Sequence, residues 1–89
     1  TGDTTLAFAS LAMGEQHFPA GFVAACRSPI PLGMEIALVT STVETAHARA
    51  VTAGAQSLHL PAVQPWGQTV SYVRCPDGTL VELCSPMTA

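Results

Sequence analysis

Alternating apolar and polar side chains predict four strands, and one stretch between them has the period of a helix. Strict alternation indicates a half-buried strand, whereas spacings of three and four residues indicate an amphipathic helix. Strands are predicted at 34–40, 56–60, 68–74 and 79–84, and a helix is predicted from Ser41 to Gly54. The resulting order β, α, β, β, β predicts an α+β fold in which one helix packs on a small curved mixed sheet.

The predicted helix has a start signal, an apolar face and a stop signal. Ser41 is the candidate N-cap, and Glu44 follows at the spacing of a capping box. Gly54 supplies the C-terminal stop. The face expected to pack on the sheet consists of Val43, Ala46, Ala50 and Ala53.

The last two strands are joined by a turn of sequence CPDG, residues 75–78. Proline presets φ at the second position, and glycine accepts the left-handed conformation that closes such a turn. The segment therefore predicts a β-hairpin. If the turn joins Cys75 to Thr79, the same register places Cys84 opposite Val70.

Glu82 is unusual because it lies between Val81 and Leu83 in an apolar strand. An unpaired buried carboxylate costs several kcal/mol. Glu82 therefore either faces water on a half-exposed sheet or projects into a cup as a ligand or catalytic group. Glu35 repeats this pattern in the first strand, with the same two interpretations.

The first 33 residues are harder to interpret. Segment 4–10 predicts a strand, yet no hairpin partner precedes it, so we expect either a longer chain or another chain to complete the sheet. Segment 12–33 contains three prolines and three glycines without a sustained period, and is predicted to be a connecting or ligand-covering loop.

Composition narrows the classes of function. The 89 residues suffice for one domain, and 48% hydrophobic with 10% charged residues is typical of a globular chain. The net charge is −3, and the three arginines are scattered, which disfavours nucleic-acid binding. No apolar run approaches the roughly 20 residues of a membrane span, so we expect a cytoplasmic protein. Three cysteines without a CxxC motif are predicted to be thiols.

The segments PWGQ, YVR, PDG and LVEL, in that order between residues 65 and 83, resemble the closing hairpin of the vicinal oxygen chelate superfamily. This superfamily includes glyoxalases, bleomycin-resistance proteins and extradiol dioxygenases, and its fold is built from paired βαβββ modules. The resemblance implies that residues 34–89 are a whole module. It also implies that residues 1–33 are the last strand of a preceding module and a connecting loop.

The resemblance also implies a site. In metal-using members the first and last strands of a module carry metal ligands, which correspond to Glu35 and Glu82 here. Two carboxylates suit Mn²⁺, Mg²⁺ or Zn²⁺, and Ni²⁺ is a further candidate. Since two ligands do not complete a catalytic site, we expect the rest of the first module or a second subunit to contribute, and a homodimer to complete the cup. The candidates for ligand contact are Trp66, Gln68 and Tyr72.

The function implied is small-molecule binding, with metal-dependent isomerase or lyase activity in which Glu35 and Glu82 are the catalytic residues. The alternative is a metal-free protein that sequesters an aromatic or antibiotic-like molecule. The sequence does not decide whether the protein is an enzyme. The histidines form no set of two histidines and one carboxylate, which disfavours dioxygenase chemistry. His47, on the helix, is expected to be a surface or structural imidazole.

Overall fold

The computed structural model describes residues 3–87. Residues 1 and 2 of the predicted 1–33 segment and residues 88 and 89 of the predicted 34–89 module lie outside the described residues. The elements are α1 Leu11–His17, β1 Glu35–Val39, α2 Val43–Thr52, β2 Gln56–Val63, β3 Thr69–Arg74 and β4 Leu80–Cys84, with a 3₁₀ turn at Ala25–Arg27. The predicted β, α, β, β, β order is confirmed. Within residues 3–87, no helix has the length and apolar character needed to cross a membrane.

The four strands form one mixed sheet in the order β1-β4-β3-β2. Strand β1 runs parallel to β4, whereas the β3–β4 and β2–β3 pairs are antiparallel. Helix α2 packs on one face and contacts β2, β3 and β4. The core between helix and sheet consists of Val43, Ala55, Val73, Val81 and Leu83. The predicted α+β class is therefore confirmed.

The hairpin between β3 and β4 has the predicted turn and register. The Gly78 N–H donates to the Cys75 carbonyl at 2.8 Å, and the Cys75 N–H donates to the Thr79 carbonyl at 2.9 Å. Gly78 has φ +92°, a conformation that glycine adopts without strain. Val70 pairs with Cys84. The three cysteines, as predicted, are free thiols.

Helix α2 ends as predicted at Gly54, which has φ +113°. The Ala55 N–H donates to the Ala50 carbonyl at 2.9 Å, and the Gly54 N–H donates to the Val51 carbonyl at 3.0 Å. These two bonds form a Schellman motif. They satisfy carbonyls that the end of the helix would otherwise leave without a donor.

The predicted start of α2 was wrong. The N-cap is Thr42 rather than Ser41, and Thr42 makes no side-chain capping bond to the helix, so there is no capping box with Glu44. Instead, the Thr42 N–H donates to Thr40 Oγ1 at 3.2 Å. The turn before the helix is thus stabilised from the end of β1. Ala53, predicted on the packing face, is exposed because it lies at the helix end.

Strand β2 is longer than predicted, because it does not end at Pro61 but continues to Val63. Its pairing with β3 shifts register between His59 and Ala62. Proline is tolerated in edge strands and at bulges, where a missing N–H breaks no ladder bond. Pro61 therefore marks an irregularity within an edge strand and not the end of that strand.

Two predictions for the first 33 residues were wrong. Within the described residues, segment 4–10 is not a strand, and the sheet consists of β1 to β4. The predicted 12–33 loop contains α1 and the 3₁₀ turn. Helix α1 begins after Ser10, whose Oγ accepts the Met13 N–H at 3.1 Å. Such an N-cap is a local signal that could have revealed the short helix.

Candidate ligand-binding face

Glu35, Tyr72 and Glu82 share the sheet face opposite α2. The β3–β4 register pairs Tyr72 with Glu82. The parallel register of β1 and β4 pairs Glu35 with Leu80, two residues before Glu82, so both carboxylates belong to one face. We call this surface the carboxylate face. The structure thus brings together the two predicted catalytic and metal-binding residues and one predicted ligand contact.

Tyr72 is held by its cross-strand partner. Its hydroxyl donates to Glu82 Oε1 at 2.9 Å. This bond favours the protonated phenol, as do partial burial and the nearby negative charges of Glu82 and Glu35, and together they raise the pKa of Tyr72 from 10.0 to about 12. Tyr72 is therefore a neutral donor to Glu82 at physiological pH, and its oxygen still has lone pairs for a ligand.

Glu35 is exposed on the edge strand, whereas Glu82 is half-buried on the central strand β4. A cavity of about 330 Å³ lies beside Glu35 and Tyr72. Its other lining residues, mostly apolar, are Leu32, Gly33, Met34 and Leu80. Apolar walls with a few fixed polar groups are typical of a small-molecule site.

Cys84 lies on the same face as Glu82 but is buried. Burial raises the pKa of its thiol, and the nearby charges of Glu82 and Glu35 act in the same direction. A thiol nucleophile must ionise to react. Cys84 is thus a buried, protonated thiol beside the carboxylates and not a nucleophile.

Arg74 is a residue whose role sequence reasoning missed. Its guanidinium donates to the carbonyls of Ala25 and Ser28, both at 2.8 Å, and of Gly78 at 3.2 Å. It lies on the carboxylate face, two residues from Tyr72, yet it directs its donors at backbone oxygens. Arg74 therefore fixes the segment before Leu32 and leaves the carboxylates available to other donors.

Trp66 and Gln68, the other two predicted ligand contacts, contact each other. The Trp66 indole N–H donates to Gln68 Oε1 at 2.7 Å, and Gln68 Nε2 donates to the Ser85 carbonyl at 2.8 Å. Gln68 thereby ties the loop before β3 to the residue after β4. This pair lies beyond the Val70 end of the hairpin and does not line the cavity beside Tyr72.

The histidines lie in two different environments. His59 pairs with Tyr72 across β2 and β3, and the two rings meet edge to face at a centroid distance of 6.4 Å. His47 is buried on the helix side, where Nδ1 lies 2.9 Å from Ser71 Oγ and Nε2 lies 2.8 Å from Ser57 Oγ. Both nitrogens are thus engaged, so of the two roles expected for His47, surface or structural, the structural one is correct.

The side chains of the carboxylate face do not by themselves fit a complete metal site. Among the described residues, no group of three or more histidine, cysteine, aspartate or glutamate side chains is arranged to hold a metal ion. Glu35 and Glu82 supply two oxygen ligands, whereas a catalytic zinc site usually takes three protein ligands. In addition, one oxygen of Glu82 accepts the Tyr72 hydroxyl.

The fold defines a class, a small α+β module with one helix packed on a four-stranded mixed sheet. Solved structures were found to share its architecture. A glyoxalase-related enzyme from Fulvimarina pelagi is 26% identical, with a TM-score of 0.68 over 85% of this chain and 54% of that chain. A glyoxalase/bleomycin resistance protein/dioxygenase superfamily member from Sphaerobacter thermophilus is 27% identical, with a TM-score of 0.52 over 57% of this chain and 41% of that chain.

A glyoxalase/bleomycin resistance protein/dioxygenase from Nocardioides is 20% identical, with a TM-score of 0.52 over 70% of this chain and 45% of that chain, a likeness of fold alone. No family model matches the sequence, and no curated protein matches it significantly. The chain spans about half the length of the first of these structures. It has the vicinal oxygen chelate fold of the glyoxalase/bleomycin resistance/dioxygenase superfamily, as the closing-hairpin motifs predict.

Proposed function

We propose that the carboxylate face binds a small molecule that presents hydrogen-bond donors or a positive charge. The observation that carries the proposal is the cavity of about 330 Å³ that Glu35 and Tyr72 line. Carboxylates accept hydrogen bonds and do not donate them. Arg74, the basic residue on this face, is engaged with backbone carbonyls. The apolar remainder of the ligand would contact Leu32, Met34 and Leu80.

This proposal is tested by NMR titration of the ¹⁵N-labelled chain with benzylamine, a cation, and catechol, a neutral donor. Benzoate serves as the anionic comparison. Changes in amide chemical shift should cluster at Glu35, Tyr72 and Glu82 when benzylamine or catechol is added. No such changes should occur there with benzoate. The Glu35→Gln/Glu82→Gln double variant should lose the benzylamine shifts, whereas Glu44→Gln on the exposed side of α2 should keep them. Shifts confined to other surfaces would contradict the proposal.

A second candidate function is that of a divalent-metal-dependent isomerase or lyase. The observation that favours it is the placement of Glu35 and Glu82 on one face of neighbouring strands. When bound, a metal ion would polarise a substrate oxygen as a Lewis acid. At least one further protein ligand would have to come from elsewhere. A second copy that completes the cup is the proposed source.

Native mass spectrometry with and without added Mn²⁺ or Zn²⁺ separates the two candidates. A dimer that gains a stoichiometric metal, and loses it on Glu82→Gln, would support the metal-dependent function. A chain that takes up no metal but still binds benzylamine would support metal-free ligand binding.

A further inference from the structure

A second cavity, of about 450 Å³, lies on the helix side of the sheet. It is separated from the carboxylate face by the sheet itself. Its walls come from β1, α2, the β3–β4 hairpin and segment 4–8. The residues that define these walls are Ile36 and Leu38 of β1, Ala46 and Ala50 of α2, and Leu6 and Phe8 of the N-terminal segment.

The position of α2 explains why this space exists. The helix packs on β2, β3 and β4, whereas β1 lies beyond its contacts. The helix-side residues of β1 therefore lack a helical cover, and Leu38 is 45% exposed. Ala46 and Ala50, which face the gap from α2, are too small to fill it. The small alanine side chains on this face of α2 thus leave space beside β1.

An apolar space of this size is unfavourable when empty. The space opens to solvent, as the exposure of Leu6, Phe8 and Leu38 shows, and its almost entirely apolar walls then remain in contact with water. An apolar occupant would remove these walls from water. A molecule that fits the space would therefore stabilise the fold. Ligand pockets in proteins are roughly 300–1,000 Å³, and this cavity falls within that range.

The lining indicates the ligand's charge. Asp77 is the charged residue among the described lining residues, and none of them is basic. A carboxylate or sulfonate head group would find no cation to pair with. The other polar lining group near Asp77 is Thr79, and Cys75 contributes a thiol whose pKa is raised by burial and by the charge of Asp77. The wall is otherwise aliphatic or aromatic.

We propose that this helix-side cavity binds an uncharged, largely apolar small molecule, and that segment 4–8 covers it. Leu6 and Phe8 line the cavity while remaining 52% and 80% exposed. Part of the apolar surface of these two side chains is therefore exposed to water. An occupant of the cavity would bury that surface, which is favourable. The occupant supplies the surface on which this segment packs.

The probe is N-phenyl-1-naphthylamine, an uncharged dye whose fluorescence rises and shifts to the blue in apolar surroundings. Saturable binding of one dye per chain is expected. Ala50→Phe fills the cavity and should weaken the affinity by about tenfold or more, which corresponds to about 1.4 kcal/mol. Ala53→Phe is the matched control, because Ala53, the C-cap of the same helix, is exposed and outside the lining. Circular dichroism establishes that each variant is folded.

A second pair of variants keeps the test decisive if Ala50→Phe does not fold. Leu38 and Val39 are adjacent on β1, both exposed, and only Leu38 lines the cavity. Leu38→Asp should weaken dye binding as strongly as Ala50→Phe, whereas Val39→Asp should not. The anionic dye 1-anilinonaphthalene-8-sulfonate should bind at least about tenfold more weakly than the neutral probe.

Four results would overturn the proposal. The first is an absence of saturable binding, and the second is equal dye affinity in the cavity variants and their controls. The third is a dimer, measured by sedimentation velocity, that excludes the dye and dissociates on Leu38→Asp, since a second copy would then be the occupant. Loss of binding on Glu82→Gln would place the dye on the carboxylate face instead. The benzylamine titration is independent of all these outcomes.

Discussion

The hydroxyl of Tyr72 donates to Oε1 of Glu82 at 2.9 Å, across two strands whose register is set by the turn that joins them. The four-residue turn at 75–78 fixes this register, and the register brings the two side chains of the carboxylate face together. A slip of one residue in the hairpin would move the two side chains to opposite faces. The turn therefore determines the site as well as the fold.

Replacing Glu82 by glutamine should lower the pKa of Tyr72 from about 12 toward its ordinary value of 10.0. The variant removes the charged acceptor, which is the largest cause of the shift, and its Coulombic effect. The chain has a single tyrosine, so phenolate absorbance near 295 nm reports this group alone. Glu44→Gln should leave the titration unchanged. Superimposable curves for Glu82→Gln and the parent chain would rule the hydrogen bond out as the cause.

The same shift predicts a loss of stability at alkaline pH. The pKa of Tyr72 is higher in the folded chain, about 12, than its ordinary value of 10.0, so folding favours the protonated phenol. This contribution is fully present below pH 10 and is lost as the pH rises through 12. Urea midpoints at pH 8 and pH 11 measure it. Tyr72→Phe should show a smaller decrease between these pH values, and an equally steep decrease would count against the assignment.

His47→Ala should lower the free energy of unfolding by about 2–4 kcal/mol, because it leaves a cavity and removes the partner of a buried hydroxyl. Ser71 is 0% exposed, and its described side-chain bond is to His47 Nδ1. Urea denaturation followed by circular dichroism measures the change. His17→Ala, on the exposed helix α1, should change stability by less than about 0.5 kcal/mol. Similar values for both variants would show that the buried network contributes little.

Gly78→Ala should destabilise the protein more than Gly67→Ala. Both glycines have positive φ, +92° and +100°, so the backbone strain is similar. A Cβ on Gly78 would collide with the backbone of Ala25, whereas one on Gly67 would meet nothing within 4 Å. The difference in unfolding free energy isolates this collision. Equal losses would mean that segment 25–29 moves away from the hairpin at little cost.

Arg74→Met should release segment 25–29 and speed tryptic cleavage after Arg27. The chain contains no lysine and three arginines, so the cleavage sites are few and easily assigned. In the parent chain the Arg74 guanidinium bonds the carbonyls of Ala25 and Ser28, on both sides of that site. Arg49→Met, on α2, is the control and should leave cleavage after Arg27 unchanged. Peptide mass spectrometry of a time course gives the rates.

Sequence patterns were sufficient where the determinant was local. Side-chain alternation gave the strands, the CPDG turn gave the pairing of Val70 with Cys84, and Gly54 gave the end of α2. Glu35 and Glu82 were recognisable as carboxylates in apolar strands. Their common face then follows from a parallel β1–β4 pairing, which a helical crossover between strands of one sheet makes possible. Turn geometry and the two-residue period act over a few residues, so a sequence displays them directly.

Tertiary structure alone decided what depends on distant contacts. Arg74 reaches carbonyls 46 and 49 positions away, and His47 joins Ser71 across 24 positions. No local pattern encodes such pairings, because they arise only after the sheet and α2 have packed. The same holds for segment 4–10, whose alternation suits a strand but which is not among the four strands of the described sheet. A strand requires a hydrogen-bonded neighbour, and whether one is present is a property of the assembled fold.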